Sequence, residues 1–246
     1  MNIAYARFIG RILIFLILFA IVSVSFTYLA QTYMPTTQTT NQSDVLSIKT
    51  IVLDAGHGGE DGGAVSASGL VEKEVNLRLT LLIRDLLVAN GTEVILTRDN
   101  DVLLYDRNVN YHGRKKALDL AARKKIAEET PDSIFVSIHM NTYPLPSCEG
   151  LQVWYSPNHE TSYHVAKQIQ DNTRTLLQPE NDRPIKAAGS NIYLLHHLQS
   201  PAVLIECGFL SSPKEAARLA EEDYLRQLAL TISLSLMQIE NPATES

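Results

Sequence analysis

Four side chains of this sequence stand where chemistry could be done: His57, Glu72, His139 and Glu206. His57 follows a β-branched run, residues 48–54, inside the loop Asp54-Ala55-Gly56-His57-Gly58-Gly59. His139 closes the apolar run 133–139, and Glu206 closes the run 202–206. In open α/β sheets, ligands gather at the carboxyl ends of strands, which is where all three of these would lie. Glu72, in Gly69-Leu70-Val71-Glu72-Lys73-Glu74, opens the helix that follows, so the loop starting at His57 leads back to the same edge. Two imidazoles and a carboxylate form the donor set of many catalytic zinc sites, with a fourth position left for water. A second carboxylate at such a site need not be a ligand and can take that water's proton. A lone histidine at a strand end is usually structural, so the weight rests on the joint pattern.

The glycine-rich loop invites comparison with phosphate-binding turns. No Gly-Lys-Ser/Thr follows it, however, and a GxGxxG frame starting at Gly56 places Asp61 where its last glycine belongs. The glycines serve better to let the backbone turn sharply so that His57 points into a cleft.

These residues need strands and helices to position them. Apolar residues at helical spacing, Val75, Leu79, Leu82, Ile83 and Leu86, follow the first strand, and Asn90-Gly91 ends them. A strand at 93–97, a helix marked by Leu118, Ala121, Ala122 and Ile126, and strands at 133–139 and 151–155 come next. A helix over 164–177, the strand 202–206 and a final helix carrying Leu225, Leu228, Ile232 and Leu236 complete the pattern. Such alternation predicts a single α/β domain over 48–240, with a mostly parallel central sheet covered by helices on both faces.

With 246 residues, 45% hydrophobic and 20% charged, the chain is neither disordered nor a disulfide-dense mini-protein. A net charge of −6 argues against nucleic acid, which requires a clustered basic footprint. Two basic triplets, 114–116 and 123–125, lie nine residues apart, or about two and a half helical turns, and read as solvated faces of one helix. Cys148 and Cys207 form no metal-knuckle or CxxC spacing, and Cys207 reads as a small buried hydrophobe. Arg7 and Arg11 precede nineteen uncharged residues, 12–30, long enough as a helix to cross a hydrocarbon core of ~30 Å. Residues 1–30 therefore read as a signal-anchor or signal peptide, with the anchor favoured because Tyr28-Leu29-Ala30 makes a poor cleavage site. This places the rest of the chain outside the cytoplasm, joined to the membrane through a polar linker, 31–47, and ending in a short tail, 241–246.

Four ordered motifs resemble those of the zinc-dependent N-acetylmuramoyl-L-alanine amidases of the type-3 class, bacterial cell-wall hydrolases. They are Leu53-Asp54-Ala55-Gly56-His57-Gly58-Gly59, Gly69-Leu70-Val71-Glu72-Lys73-Glu74-Val75-Asn76-Leu77, Val136-Ser137-Ile138-His139-Met140-Asn141, and Pro201-Ala202-Val203-Leu204-Ile205-Glu206-Cys207-Gly208-Phe209-Leu210-Ser211. The resemblance implies one zinc ion held by His57, Glu72 and His139, with Glu206 as catalytic carboxylate and peptidoglycan as substrate. Ala55, Met140 and Cys207 depart from the family's usual residues, each beside a site residue without replacing one. Arg123 stands where the family often has an arginine, and no role attaches to it at this point. Compact size and a short membrane segment, without appended wall-binding repeats, resemble the spore-associated members, which help make muramic δ-lactam in cortex; general wall turnover is the alternative. A zinc peptidase of related fold and a catalytically idle wall-binding module are the competing readings, and the second would be expected to lose ligands that are all present here. An activating partner protein is compatible with the resemblance, although no motif points to one. His196 and His197 precede the Glu206 strand on a segment read as extended, where at most one of them could face the cleft. His112, His159 and His164 read as surface or helix-end residues.

Overall fold

The computed structural model describes residues 50–106, 108 and 113–240. The expected membrane segment, the linker, the C-terminal tail and His112 lie outside the described residues. Among the described residues no helix is long and apolar enough to cross a membrane. The chain divides into two units, Met1–Val45 and Leu46–Ser246, and every element below belongs to the second.

Strands β1 (Thr50–Ala55), β2 (Glu93–Leu96), β3 (Ser133–Asn141), β4 (Gln152–Tyr155), β5 (Lys186–Ala187) and β6 (Ala202–Phe209) form one sheet in the order β2-β1-β3-β6-β4-β5. All neighbouring pairs are parallel except β4 with β6, so the expected mostly parallel sheet is present with one antiparallel pair. Helices α1 (Glu72–Ala89), α2 (Lys115–Glu128), α3 (Glu160–Leu176), α4 (Tyr193–His197), α5 (Pro213–Ala220) and α6 (Glu222–Met237) cover it.

Alternation along the strands sorts the side chains into two layers. Ile51 and Leu53, then Ile134, Val136 and Ile138, then Val203, Ile205 and Cys207, pack with α1, α3 and α6 in the larger core. Val52, Phe135 and Ala202 point the other way, onto α2 and α4, in a smaller cluster. Followed towards the strand ends, this second face becomes polar in steps of two: Val52 gives way to Asp54, Phe135 to Ser137 and His139, and Ala202 and Leu204 to Glu206. The functional edge is therefore the continuation of a core face.

Several elements differ from the sequence expectation. β3 runs two residues further, to Asn141, and bulges between His139 and Asn141 where its register with β6 shifts. β5, α4 and α5 are too short to show a hydrophobic period. α5 instead starts on a Ser212 side chain that accepts from the Glu215 N–H, with Pro213 in its first turn. The segment of His196 and His197 is helical rather than extended. It sits at the opposite end of the sheet from Glu206: the Ser156 hydroxyl donates to the Leu195 carbonyl, and the Ser156 N–H to that of Ala202, where β6 begins. The solvated reading of the basic triplets fails at Arg123, which is only 2% exposed. His159 caps α3, and His164 is exposed on it, as the helix-end and surface readings expected.

Candidate metal centre

β1 ends at Ala55, and the chain turns through Gly56 and His57, whose φ of 61° lies in the left-handed region that costs a non-glycine residue. Two buried arginines hold this turn by its carbonyls. Arg123 donates from Nη1 to Ala55 O at 2.8 Å and from Nη2 to His57 O at 2.7 Å. Arg98 donates from Nε to Ala55 O at 2.8 Å and from Nη2 to Gly56 O at 3.0 Å. The charge of Arg123 is met by Asp54 and, at 2.7 Å, by Asp119 one helical turn away. Asp54 also accepts from Thr97 Oγ1 at 2.7 Å and Ser137 Oγ at 2.6 Å. Burial opposes its ionisation, but Arg123 and these two hydroxyls outweigh that and hold its carboxyl below the usual range. Gly56 must be glycine, because a Cβ there would stand 2.3 Å from the His139 ring.

His57, Glu72 and His139 come together, with one donor atom of each within 4.8 Å of the others. Glu72 is the centre of the group. Its Oε1 lies 3.2 Å from His57 Nε2 and 3.0 Å from His139 Nδ1, and it accepts from the Met140 N–H at 3.1 Å. Its Oε2 accepts from the Ala64 N–H at 2.8 Å. Burial works against the charge of Glu72, but the two imidazoles overcome it and hold the carboxyl well below its ordinary value. A group that stays ionised while facing two imidazoles is a ready anionic metal ligand. The other ring nitrogen of His57, Nδ1, lies 2.9 Å from Asp61 Oδ1, an ion-pair distance reached off the line of a hydrogen bond. A carboxylate behind a ligating imidazole fixes its tautomer and orientation. Asp61, Arg98 and the part played by Arg123 are absent from the sequence expectation. No sequence signal marked Asp61, because residues 57–61 form a turn in which helical spacing does not apply.

Glu206 sits directly opposite His139 in the β3–β6 register, on the same face. Its Oε2 is buried and has no hydrogen-bond partner among the described residues. Burial, and secondarily the negative charge of Glu72, push its pKa up to about 7, against the lowering influence of the two histidines. A carboxylate poised there can accept and return protons near neutrality.

The family described as N-acetylmuramoyl-L-alanine amidase matches residues 51–238. The chain belongs to this family. The amidase is 37% identical over 193 residues to the germination-specific N-acetylmuramoyl-L-alanine amidase of Bacillus subtilis, a match covering 78% of this chain and 80% of that one. Among solved structures it resembles the CwlD amidase from Clostridioides difficile in complex with the GerS lipoprotein, at 38% identity and a TM-score of 0.73 over 78% of this chain and 98% of that one. It also resembles the catalytic domain of CwlV, an amidase from Bacillus (Paenibacillus) polymyxa, at 32% identity and a TM-score of 0.64 over 77% and 97%. The resemblance expected from the four motifs is thereby shown.

Proposed function

We propose that this amidase binds one zinc ion through His57, Glu72 and His139 and hydrolyses the amide joining the lactyl carbonyl of N-acetylmuramic acid to L-alanine. The observation that carries the reading is the pairing of three converging donors with a buried, unpartnered carboxylate oxygen on Glu206. Two of the three separations suit zinc: bonds of ~2.0–2.1 Å in a tetrahedron place ligand atoms about 3.3 Å apart, and Glu72 Oε1 lies 3.2 and 3.0 Å from the two ring nitrogens, with all three donors within 4.8 Å of one another. Zinc bound there would supply Lewis acidity, easing deprotonation of water and polarising the carbonyl. Glu206 takes a proton from the attacking water and delivers it to the departing alanine nitrogen, giving a lactyl acid and a free amine. Asp61 holds the His57 ring in place, and Arg123 and Arg98 fix the backbone that carries it.

We further propose that the enzyme works outside the cytoplasm, anchored through residues 12–30, on spore-cortex peptidoglycan during muramic lactam formation. The germination-specific relative and the run of uncharged residues after Arg11 support this. The GerS complex of the Clostridioides difficile relative supports a partner protein for this chain as well. Digestion of purified cortex and vegetative peptidoglycan, with and without a chelator, tests the reading. The expected products are a new L-alanine amine and an unsubstituted lactyl acid, released from cortex material and lost on chelation. Cleavage within the stem peptide instead would make the enzyme a peptidase, and equal action on both walls would favour general turnover.

A further inference from the structure

Glu206 has two neighbours across the sheet. His139 lies on one side and Gln152, on β4, directly opposite on the other. Gln152 is buried, and its Nε2 donates to the Pro184 carbonyl at 2.9 Å. This ties the loop 178–185 against the strand next to Glu206. Further bonds build the loop firmly. Arg174 Nε donates to Asn181 O at 2.7 Å, Asn181 Nδ2 to Leu151 O at 2.8 Å, and the Arg183 N–H to Asn181 Oδ1 at 3.1 Å.

The side chain presented by this loop is Arg183. Its Nε donates to the Glu149 carbonyl at 2.7 Å, and its guanidinium carbon lies 4.5 Å from the centroid of the Phe209 ring. The plane of the guanidinium is thus fixed from two directions. Its Nη1 and Nη2 have no partner among the described residues, and no carboxylate pairs with it. The Glu149 carboxylate is engaged by Lys214 at 2.7 Å, and Asp182 forms no ion pair with Arg183. A held guanidinium with open terminal nitrogens suits a planar carboxylate.

We propose that Arg183 is a specificity residue that binds a free carboxylate on the stem peptide, at the residue following L-alanine. This rests on the amidase reading above. In peptidoglycan that residue is a glutamate linked through its side chain, so its α-carboxyl is left free or amidated. Arg183 stacks on Phe209, at the carboxyl end of the strand that carries Glu206, and so borders the same edge of the sheet.

The test compares two muropeptides that differ only in whether this α-carboxyl is free or amidated, using the full chain loaded with zinc. A charge-assisted contact of this kind predicts that kcat/KM favours the free acid by about 10- to 100-fold, expressed mainly in KM. In Arg183→Gln the acid-to-amide ratio falls to about one, and Arg183→Lys recovers part of it. Equal wild-type rates on the two substrates overturn the proposal while leaving the amidase reading intact, and need no variant to fold. An Arg183→Gln enzyme that loses activity without losing discrimination also overturns it. Cleavage of neither muropeptide overturns the amidase reading and this inference with it.

Discussion

Glu206→Gln separates what the carboxylate does for the reaction from what it costs the fold. The pKa of Glu206 is raised from 4.5 to about 7 because burial disfavours its charged form. At about 1.4 kcal/mol for each tenfold change, holding that charge in the metal-free protein costs about 3 kcal/mol. Between pH 4.5 and 7 the folded chain keeps a proton that the unfolded chain has lost. The contribution of Glu206 to stability is therefore intact below pH 4.5 and falls as pH rises to 7. Glutamine keeps the shape without the charge. Urea unfolding of chelated protein from pH 4 to 8.5 should find the variant more stable than wild type by about 3 kcal/mol at pH 8, with the gap closing below pH 4.5. Because both proteins share every other titrating group, their difference reports this one together with its coupling to His139, Glu72 and His57. In the zinc-loaded enzyme the same substitution removes the proton carrier, so activity on purified peptidoglycan should fall about 10²- to 10⁴-fold while zinc content stays near one per chain. A variant as active as wild type refutes the proton-transfer role. A stability gap that does not change with pH refutes the buried, unpartnered carboxylate.

His57→Ala and His139→Ala each remove a donor of the proposed zinc site, so the purified variants should hold well under one zinc per chain by elemental analysis; full occupancy would exclude the residue from the ligand set. Asp61→Asn keeps the bulk but not the charge behind the His57 ring, and chelator competition should show zinc bound about 10- to 100-fold more weakly. Arg123→Met leaves the buried carboxylate of Asp54 without its cation and should lower unfolding stability by about 3–5 kcal/mol. An Arg123→Met protein with wild-type stability would show that the buried pair is not needed to hold the turn.

How far the site could be read from the sequence follows from which interactions are periodic. His57, His139 and Glu206 were legible because each stands at or just beyond the end of a β-branched run, and parallel strands bring such ends to one edge. Glu72 was legible because it opens the next helix. The arginines were not. Arg123 sits among Lys124 and Lys125, and nothing in its local pattern distinguishes it from them. Only the fold shows that it reaches across to Asp54 and to the carbonyls of the His57 turn, while Lys124 stays on its own helix with Glu128. Arg98 likewise bonds Ala55 and Gly56, contacts some forty residues apart in sequence with no spacing rule behind them. The short elements β5, α4 and α5 escaped because two to eight residues cannot display a period, and their placement comes from side-chain bonds such as Gln152 to Pro184 and Ser156 to Leu195.

The pairing of strands supplies the rest of the site's order. Val203, Ile205 and Cys207 fill one core while Leu204 and Glu206 face the other way, so the position of Glu206 beside His139 is set by the same register that buries its neighbours. A slip of β6 by one residue would turn Cys207 towards the histidines and drive Glu206 into the apolar layer beneath α1 and α6. Burying that carboxylate among Ile138, Val203 and Leu228 would cost more than the fold could recover elsewhere. Hydrophobic sorting thus aligns Glu206 with His139 and the cluster it shares with His57 and Glu72, and the order of the edge is enforced by the packing of the interior.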